Sequence, residues 1–309
     1  MTTYACYGLR LRSEIDLPEL TPVAADDSAP ADIVIECGPV DPAPPNATVL
    51  PWGLWRDETS CGISVADIAD YAAYDGSRIV VDRVPGAEDR DVRLFLLGTV
   101  MGAIMMQRGH LVLHGNAVRI GDSCAVVVGH SGAGKSTLAA EFARRGLDVL
   151  TDDVVPVDGE GRALTGYPRI KLWEDALERL GLEPGAFERI KTSVDKFHVP
   201  VHRSEFGPLP LRWIYSLDKH DGDRLELVEV SGMDKFDVLR EHTYRKELIF
   251  DAGSTWEHLR QCADIGERAR VARLLRPAAT MTAVMTADAI LSDIDSRLVH
   301  AIDSGDERP

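Results

Sequence analysis

The stretch that most restricts this chain is GHSGAGKST, residues 129–137, because it matches the spacing G-x-x-x-x-G-K-[ST] between two different kinds of periodicity. The run Cys124 to Val128 before it is short and aliphatic, as in a buried strand, and Leu138 to Arg145 after it has helical spacing. A glycine turn with no ligand needs neither flank, whereas a phosphate cradle needs both. Glycines let successive backbone N–H groups converge on phosphate oxygens at a helix N-terminus, where the helix dipole adds favourable potential. Gly129, Ser131, Gly132, Ala133, Gly134, Lys135, Ser136 and Thr137 are therefore the candidate nucleotide-binding residues. Lys135 is placed to reach the β- and γ-phosphates of ATP, and the Ser136 hydroxyl to ligate Mg2+. His130 is assigned no chemistry, since backbone groups set the geometry of such a loop.

Gly146 ends the helical run, and the strand-like LDVL delivers Thr151, Asp152 and Asp153 at its C-terminal end. Ligands of open α/β sheets bind outside the carboxyl ends of strands, so these carboxylates are expected beside the loop. One carboxylate can hold the Mg2+ shell and the other can act as base toward a hydroxyl; the bland reading is that one of them caps a turn. His114, in VLHGNAV, is a candidate neighbour of the pair or a structural histidine. Arg169 and Lys171 in TGYPRIKLW share a face if that segment is extended. With Lys196 of VDKFHVP and Arg245 of TYRKE, they are candidate substrate clamps or ordinary solvated side chains.

The formal net charge of -16 would repel a nucleic-acid backbone or an anionic membrane, so neither is an expected partner. Cysteines 6, 37, 61, 124 and 262 form no CxxC pair and suggest neither a disulfide framework nor a zinc site. No basic and apolar leader opens the chain, and the most apolar run, LFLLGTVMGAIMM at 94–106, is too short to span a bilayer. A soluble cytoplasmic protein is expected.

Residues 1–90 read as a small β-rich lobe, with strands in the first 22 residues, at Ile33 to Glu36, and in CGISV and SRIVV. Asp89 and Asp91 precede a helix over Val92 to Met106, and Gly109 is a stop signal. Residues 91–302 form the catalytic unit, and DSGDERP at 303–309 a frayed tail. Within that unit the expected strands are Leu111 to Leu113, Ala117 to Ile120 and Cys124 to Val128, the last two joined by a hairpin turn at Gly121-Asp122. LRWIYSLDK and RLELVEV read as further strands, GMDKFDVLREHTYRKELIF, STWEHLRQCADIGERARVARLLR and ADAILSDIDSRLVHAI as helical, and TMTAVM as a strand between the last two helices.

LHGNAV, GHSGAGKST and LTDDVVPV, in that order and spacing, resemble the catalytic domain of the HPr kinase/phosphorylase family over residues 110–156, and more loosely to 277 through GYPRIKLW and LLRP. The resemblance implies an α/β fold: a P-loop kinase core with a mixed sheet, of the kind shared with phosphoenolpyruvate carboxykinase. It also implies Asp153 as base toward a serine hydroxyl, Asp152 on the magnesium side with Ser136, and His114 assisting. Thr137 stands where the bifunctional members carry Glu, and a Gly-rich RGLGI-like signature is absent, so phosphorylase activity and HPr as the acceptor are not implied. YACYGLRLRSEIDLPEL and GYPRIKLW are similar to the HPr-kinase-like proteins encoded with lasso-peptide clusters, which implies the C-terminal serine of a precursor peptide as acceptor, while the resemblance to the HPr kinase family implies a homo-oligomer as one arrangement.

The expected function is an ATP-dependent serine kinase acting on a peptide or small protein. A small-molecule P-loop kinase of the shikimate or gluconate type is the alternative; such enzymes begin almost at the loop, whereas here more than a hundred residues precede it. A nucleotide-sensing protein has no need of a carboxylate base, and VEVSGMD makes a poor ABC-type signature.

Overall fold

The computed structural model describes residues 1–24, 29–167, 169–191, 194–201, 207–249, 252–277 and 282–304. Its first part is a sheet of β1 (Thr2–Cys6), β2 (Leu9–Ser13), β3 (Thr21–Pro22), β4 (Ile33–Cys37), β5 (Thr48–Val49), β6 (Leu54–Arg56), β7 (Ser60–Val65), β8 (Ala69–Tyr74) and β9 (Arg78–Arg83). The order is β3-β1-β2-β4-β9-β8-β7-β6-β5, with β2–β4 and β4–β9 parallel. Alternation puts Tyr4, Leu11, Ile33, Ile35, Tyr71, Ile79 and Val81 inward. Against them lie α1 (Asp89–Phe95), a π-helical turn (Leu96–Val100) and α2 (Met101–Gln107), whose Val92, Leu96, Val100 and Ile104 are buried in the same core. That core also takes in Val112, Val154, Tyr167 and Tyr244, so the first sheet packs directly behind the strands that carry the candidate site.

The second part follows as β10 (Leu111–Ile120), β11 (Ser123–Gly129), α3 (Lys135–Arg144), β12 (Val149–Val157), β13 (Arg162–Ala163), β14 (Arg169–Trp173), α4 (Glu174–Arg179), β15 (Glu188–Lys191), β16 (Val194–Pro200), β17 (Leu209–His220), β18 (Glu226–Val230), α5 (Met233–Glu241), α6 (Ala252–Arg268), β19 (Arg270–Pro277) and α7 (Ala283–Ser304). The central sheet runs β18-β19-β17-β11-β10-β12-β13, and β13 closes back on the first residues of β17. Strands β11, β17 and β19 are parallel to one another and the remaining pairings are antiparallel, a mixed sheet. Helices cover both faces: α3 and α7 pack Leu138, Phe142, Ile290 and Ile294 on one, α5 and α6 pack Val238, Leu239, Cys262 and Ile265 on the other. Two covered faces explain why β11 is apolar without alternation. The small antiparallel sheet β14-β16-β15 packs Ile170, Leu172, Phe197 and Val199 against Ala139 and Ala140 of α3.

Five expectations need correction. Leu111 to Leu113 and Ala117 to Ile120 are one ten-residue strand, not two. Gly115 is no break: a Cβ there would lie 2.4 Å from the Val127 carbonyl oxygen, so glycine allows close approach of β10 to β11. The helix expected to run through RVARLLR stops at Arg268, and Arg270–Pro277 is a strand, because Val271, Ala272 and Leu274 are buried between two helical layers. The strand expected at TMTAVM is instead the start of α7 from Ala283 onward, its Thr280 and Met281 lying outside the described residues. The helix expected through TYRKE ends at Glu241, and Thr243 bridges to Leu113. Of the expected tail, residues 303 and 304 belong to α7, and 305–309 lie outside the described residues. Among the described residues no helix is long and apolar enough to cross a membrane.

Candidate nucleotide and phosphoryl-transfer site

The loop between β11 and α3 forms at the C-terminal end of a parallel strand, where Ser131, Gly132, Gly134, Lys135, Ser136 and Thr137 line a cleft of about 700 Å³. Gly134 caps α3 in the left-handed region, φ 95°, which a side chain rarely adopts. The Lys135 ammonium folds back onto the loop, donating to the carbonyls of Gly129 at 2.7 Å and His130 at 3.2 Å. Burial pulls its pKa below the usual lysine value, with Asp153 and Asp152 opposing that effect. Asn116 of β10 fixes the start of the helix: its amide donates to the Lys135 carbonyl at 2.8 Å.

Asp152 and Asp153 reach the cleft from the middle of β12, not from a strand end, and β10 lies between β12 and β11. What turns them inward is a local kink. Asp153 has φ 80°, and the Thr151 hydroxyl spans it by donating to the Val154 carbonyl at 2.7 Å. From the first sheet, the Tyr7 hydroxyl donates to the same carbonyl at 3.2 Å, so the N-terminal strands brace the kink.

The two carboxylates are used differently. Asp152 is buried; it accepts the Ser136 hydroxyl at 3.2 Å and the Lys171 backbone N–H at 2.9 Å. Burial pushes its pKa up, only partly opposed by the Lys171 N–H. Asp153 faces the Lys171 ammonium at 2.9 Å and the His114 ring at 3.3 Å. Burial would raise its pKa, but Lys171 and His114 hold it well below the carboxylate range. For Lys171 burial works the other way, and Asp153 holds it above the usual lysine value. His114 Nδ1 meets two acceptors, the Asp153 carboxylate and, at 3.2 Å, the Asp153 carbonyl, which assigns the proton to Nδ1. Burial lowers the His114 pKa against the pull of Asp153, and its ring packs 5.6 Å from that of Tyr244.

Of the other candidate clamps, Lys171 and Lys196 line the cleft, Lys196 lying 5.7 Å over the exposed ring of Trp173. Arg169 points elsewhere and donates to the Pro18 carbonyl at 2.9 Å. Arg245 sits over Tyr244, at 5.9 Å, and is not part of the lining. The cleft also holds Lys219, Arg276, Trp173 and Asp175, none of them singled out in the sequence. The signal available for Lys219 was a cation ending the apolar strand-like run IYSLDK, whereas Arg276 ends RVARLLR, whose apolar spacing reads as helical.

Among the described residues no group of three or more His, Cys, Asp or Glu is set to hold a metal ion alone. The Ser136 hydroxyl beside Asp152 is nonetheless a hard-oxygen pair of the kind Mg2+ takes when phosphate oxygens and waters complete its shell.

No family model matches the chain, and no curated protein matches it. Among solved structures it is similar to the Hpr(Ser) kinase/phosphatase from Coxiella burnetii, with 15% identity, covering 63% of this chain and 95% of that one, at a TM-score of 0.33.

Proposed function

We propose that this chain is an ATP-dependent kinase that transfers the γ-phosphoryl group to a serine hydroxyl of a peptide or small protein. The observation that carries the reading is the convergence in one cleft of the loop amides and Lys135, the Ser136–Asp152 oxygen pair, and a charged carboxylate, Asp153, held by Lys171 and His114. A pure nucleotide sensor or a glycine turn uses the first of these and not the last.

The loop amides and Lys135 bind and orient the phosphates, and Ser136 with Asp152 would hold Mg2+, which when bound neutralises charge on the phosphate oxygens. Asp153 accepts the proton of the acceptor hydroxyl as its oxygen attacks phosphorus. Lys171 keeps Asp153 ionised and turned toward the cleft, and His114 fixes its other side through the Nδ1 proton. Lys196 and Trp173 form the outer lip on the acceptor side. The strands from YACYGLRLRSEIDLPEL, and GYPRIKLW around Lys171, support a finer reading in which the acceptor is the C-terminal serine of a lasso-peptide precursor.

The test is incubation with labelled ATP, Mg2+ and serine-containing peptides from neighbouring genes, read by intact mass. A gain of about 80 Da per phosphate on a serine is expected. Phosphate appearing only on a small metabolite would overturn the peptide reading.

A further inference from the structure

The cleft has a second wall, formed by cations. β17 and β19 run parallel with Lys219 opposite Arg276, so both side chains leave the sheet on one face at the C-terminal ends of their strands. Both line the cleft with Ser131, Gly132 and Gly134. Arg276 reaches the loop itself: its guanidinium donates to the Ala133 carbonyl, and a Cβ on Gly134 would lie 3.1 Å from its Nη2.

What sets this pair apart is the missing counter-charge. The other arginines of β19 are matched by acids, Arg270 with Asp293 and Arg273 with Asp218, as is Arg297 of α7 with Glu229. Among the described residues neither Arg276 nor Lys219 has a carboxylate within ion-pair distance. Half-burial lowers the Arg276 pKa, and no acid offsets that effect. In a chain with 50 acidic and 34 basic residues, two adjacent cations facing a phosphate cradle with no acid beside them fit an anionic ligand that brings the charge.

We propose that Arg276 is a catalytic residue that grips the terminal phosphate of the nucleotide in cis, with Lys219 beside it. This rests on the kinase reading above. As the acceptor oxygen bonds to the γ-phosphorus, the bond to the bridging oxygen breaks, ADP leaves with that electron pair, and the acceptor proton goes to Asp153. Arg276 takes no proton; its planar fork spreads over the equatorial oxygens on which charge accumulates, from the side of the loop opposite Asp153.

The experiment compares ATP and ADP binding by calorimetry, and transfer rate, in the full-length protein and in Arg276→Ala and Arg276→Lys. The wild type is expected to prefer ATP by about tenfold or more, as a charge-assisted contact to one phosphate gives. Arg276→Ala should erase that preference, leave ADP affinity within about twofold, and slow transfer by about 10³-fold, the scale of other arginines in this role. Arg276→Lys, which keeps the charge and loses the fork, should recover part of the preference and serves if the alanine variant fails to fold. Equal weakening of ATP and ADP, or no change in either, overturns the proposal and leaves the kinase reading intact. If the wild type binds neither nucleotide, the nucleotide reading fails and this inference with it.

Discussion

The two walls of the cleft handle charge in opposite ways. On the β12–β14 side, two adjacent carboxylates meet Lys171 and His114, so the acids are matched by the protein itself and Asp153 is held ionised. On the β17–β19 side, Arg276 and Lys219 have no acid beside them among the described residues. The self-neutralised wall keeps Asp153 ionised and oriented toward the cleft, and an unneutralised cationic wall is arranged to accept an anion. The P-loop lies between, and on the proposed reading the nucleotide phosphates meet the cationic wall and the acceptor hydroxyl meets the other.

The largest effect expected from breaking this division is on Asp153. Asp153→Asn should lower transfer by about 10² to 10⁴-fold, the usual contribution of a positioned base, while ATP affinity, read by calorimetry, stays within about threefold. An equal loss in affinity and rate would merge the two walls into one binding surface.

Next comes Phe142→Ala, which leaves both walls' charges in place and empties the packing of α3 against the sheet. Phe142 is fully buried, and the change should cost about 3 to 5 kcal/mol in denaturant unfolding, with loss of nucleotide binding following loss of the fold rather than preceding it.

Lys171→Gln tests how Asp153 is kept charged, through pH. The folded pKa of Asp153 is depressed, so its contribution to stability is present above the unfolded value of about 3.9 and lost as pH falls through the lower folded value. The folded pKa of Lys171 is raised, so its contribution is present below the unfolded value of about 10.4 and lost as pH rises through the higher folded value. Both hold between about pH 4 and 10. Removing the ammonium should move the acid limb of the transfer rate to higher pH, and an unshifted limb would show that Lys171 does not set the ionisation of Asp153.

The smallest effect is expected for Lys219→Ala. Its side chain is exposed, so ATP affinity should fall only about two- to fivefold, with a steeper salt dependence in the wild type than in the variant.

The walls were not equally legible in the sequence. The loop, its flanking strand and helix, and Asp152–Asp153 lie within thirty residues of one another, and local chemistry marks each: glycines where φ is positive, a lysine and a serine at fixed spacing, two acids after an aliphatic run. Lys171 and Lys196 could be named but not given a role, since their pairing with Asp153 and Trp173 depends on how a separate small sheet packs on α3. The cationic wall was hidden for a similar reason. Arg276 sits at the end of RVARLLR, whose Val271, Leu274 and Leu275 repeat at helical spacing, and only burial between two layers makes it a strand. The hydrogen bond from Tyr7 to the Val154 carbonyl, which braces the kink at Asp153, links residues 147 apart, which no local pattern announces.

The central claim is that the cleft transfers a phosphoryl group with Asp153 as the base. Its most direct test is single-turnover transfer from labelled ATP with Mg2+ to a serine peptide, run side by side with wild type and Asp153→Asn and read by intact mass. The expected result is a phosphorylated serine with the wild type and none within the same time with the variant, both proteins binding ATP alike. Equal phosphorylation by the two, or ATP binding by the wild type with no peptide modified, would contradict it.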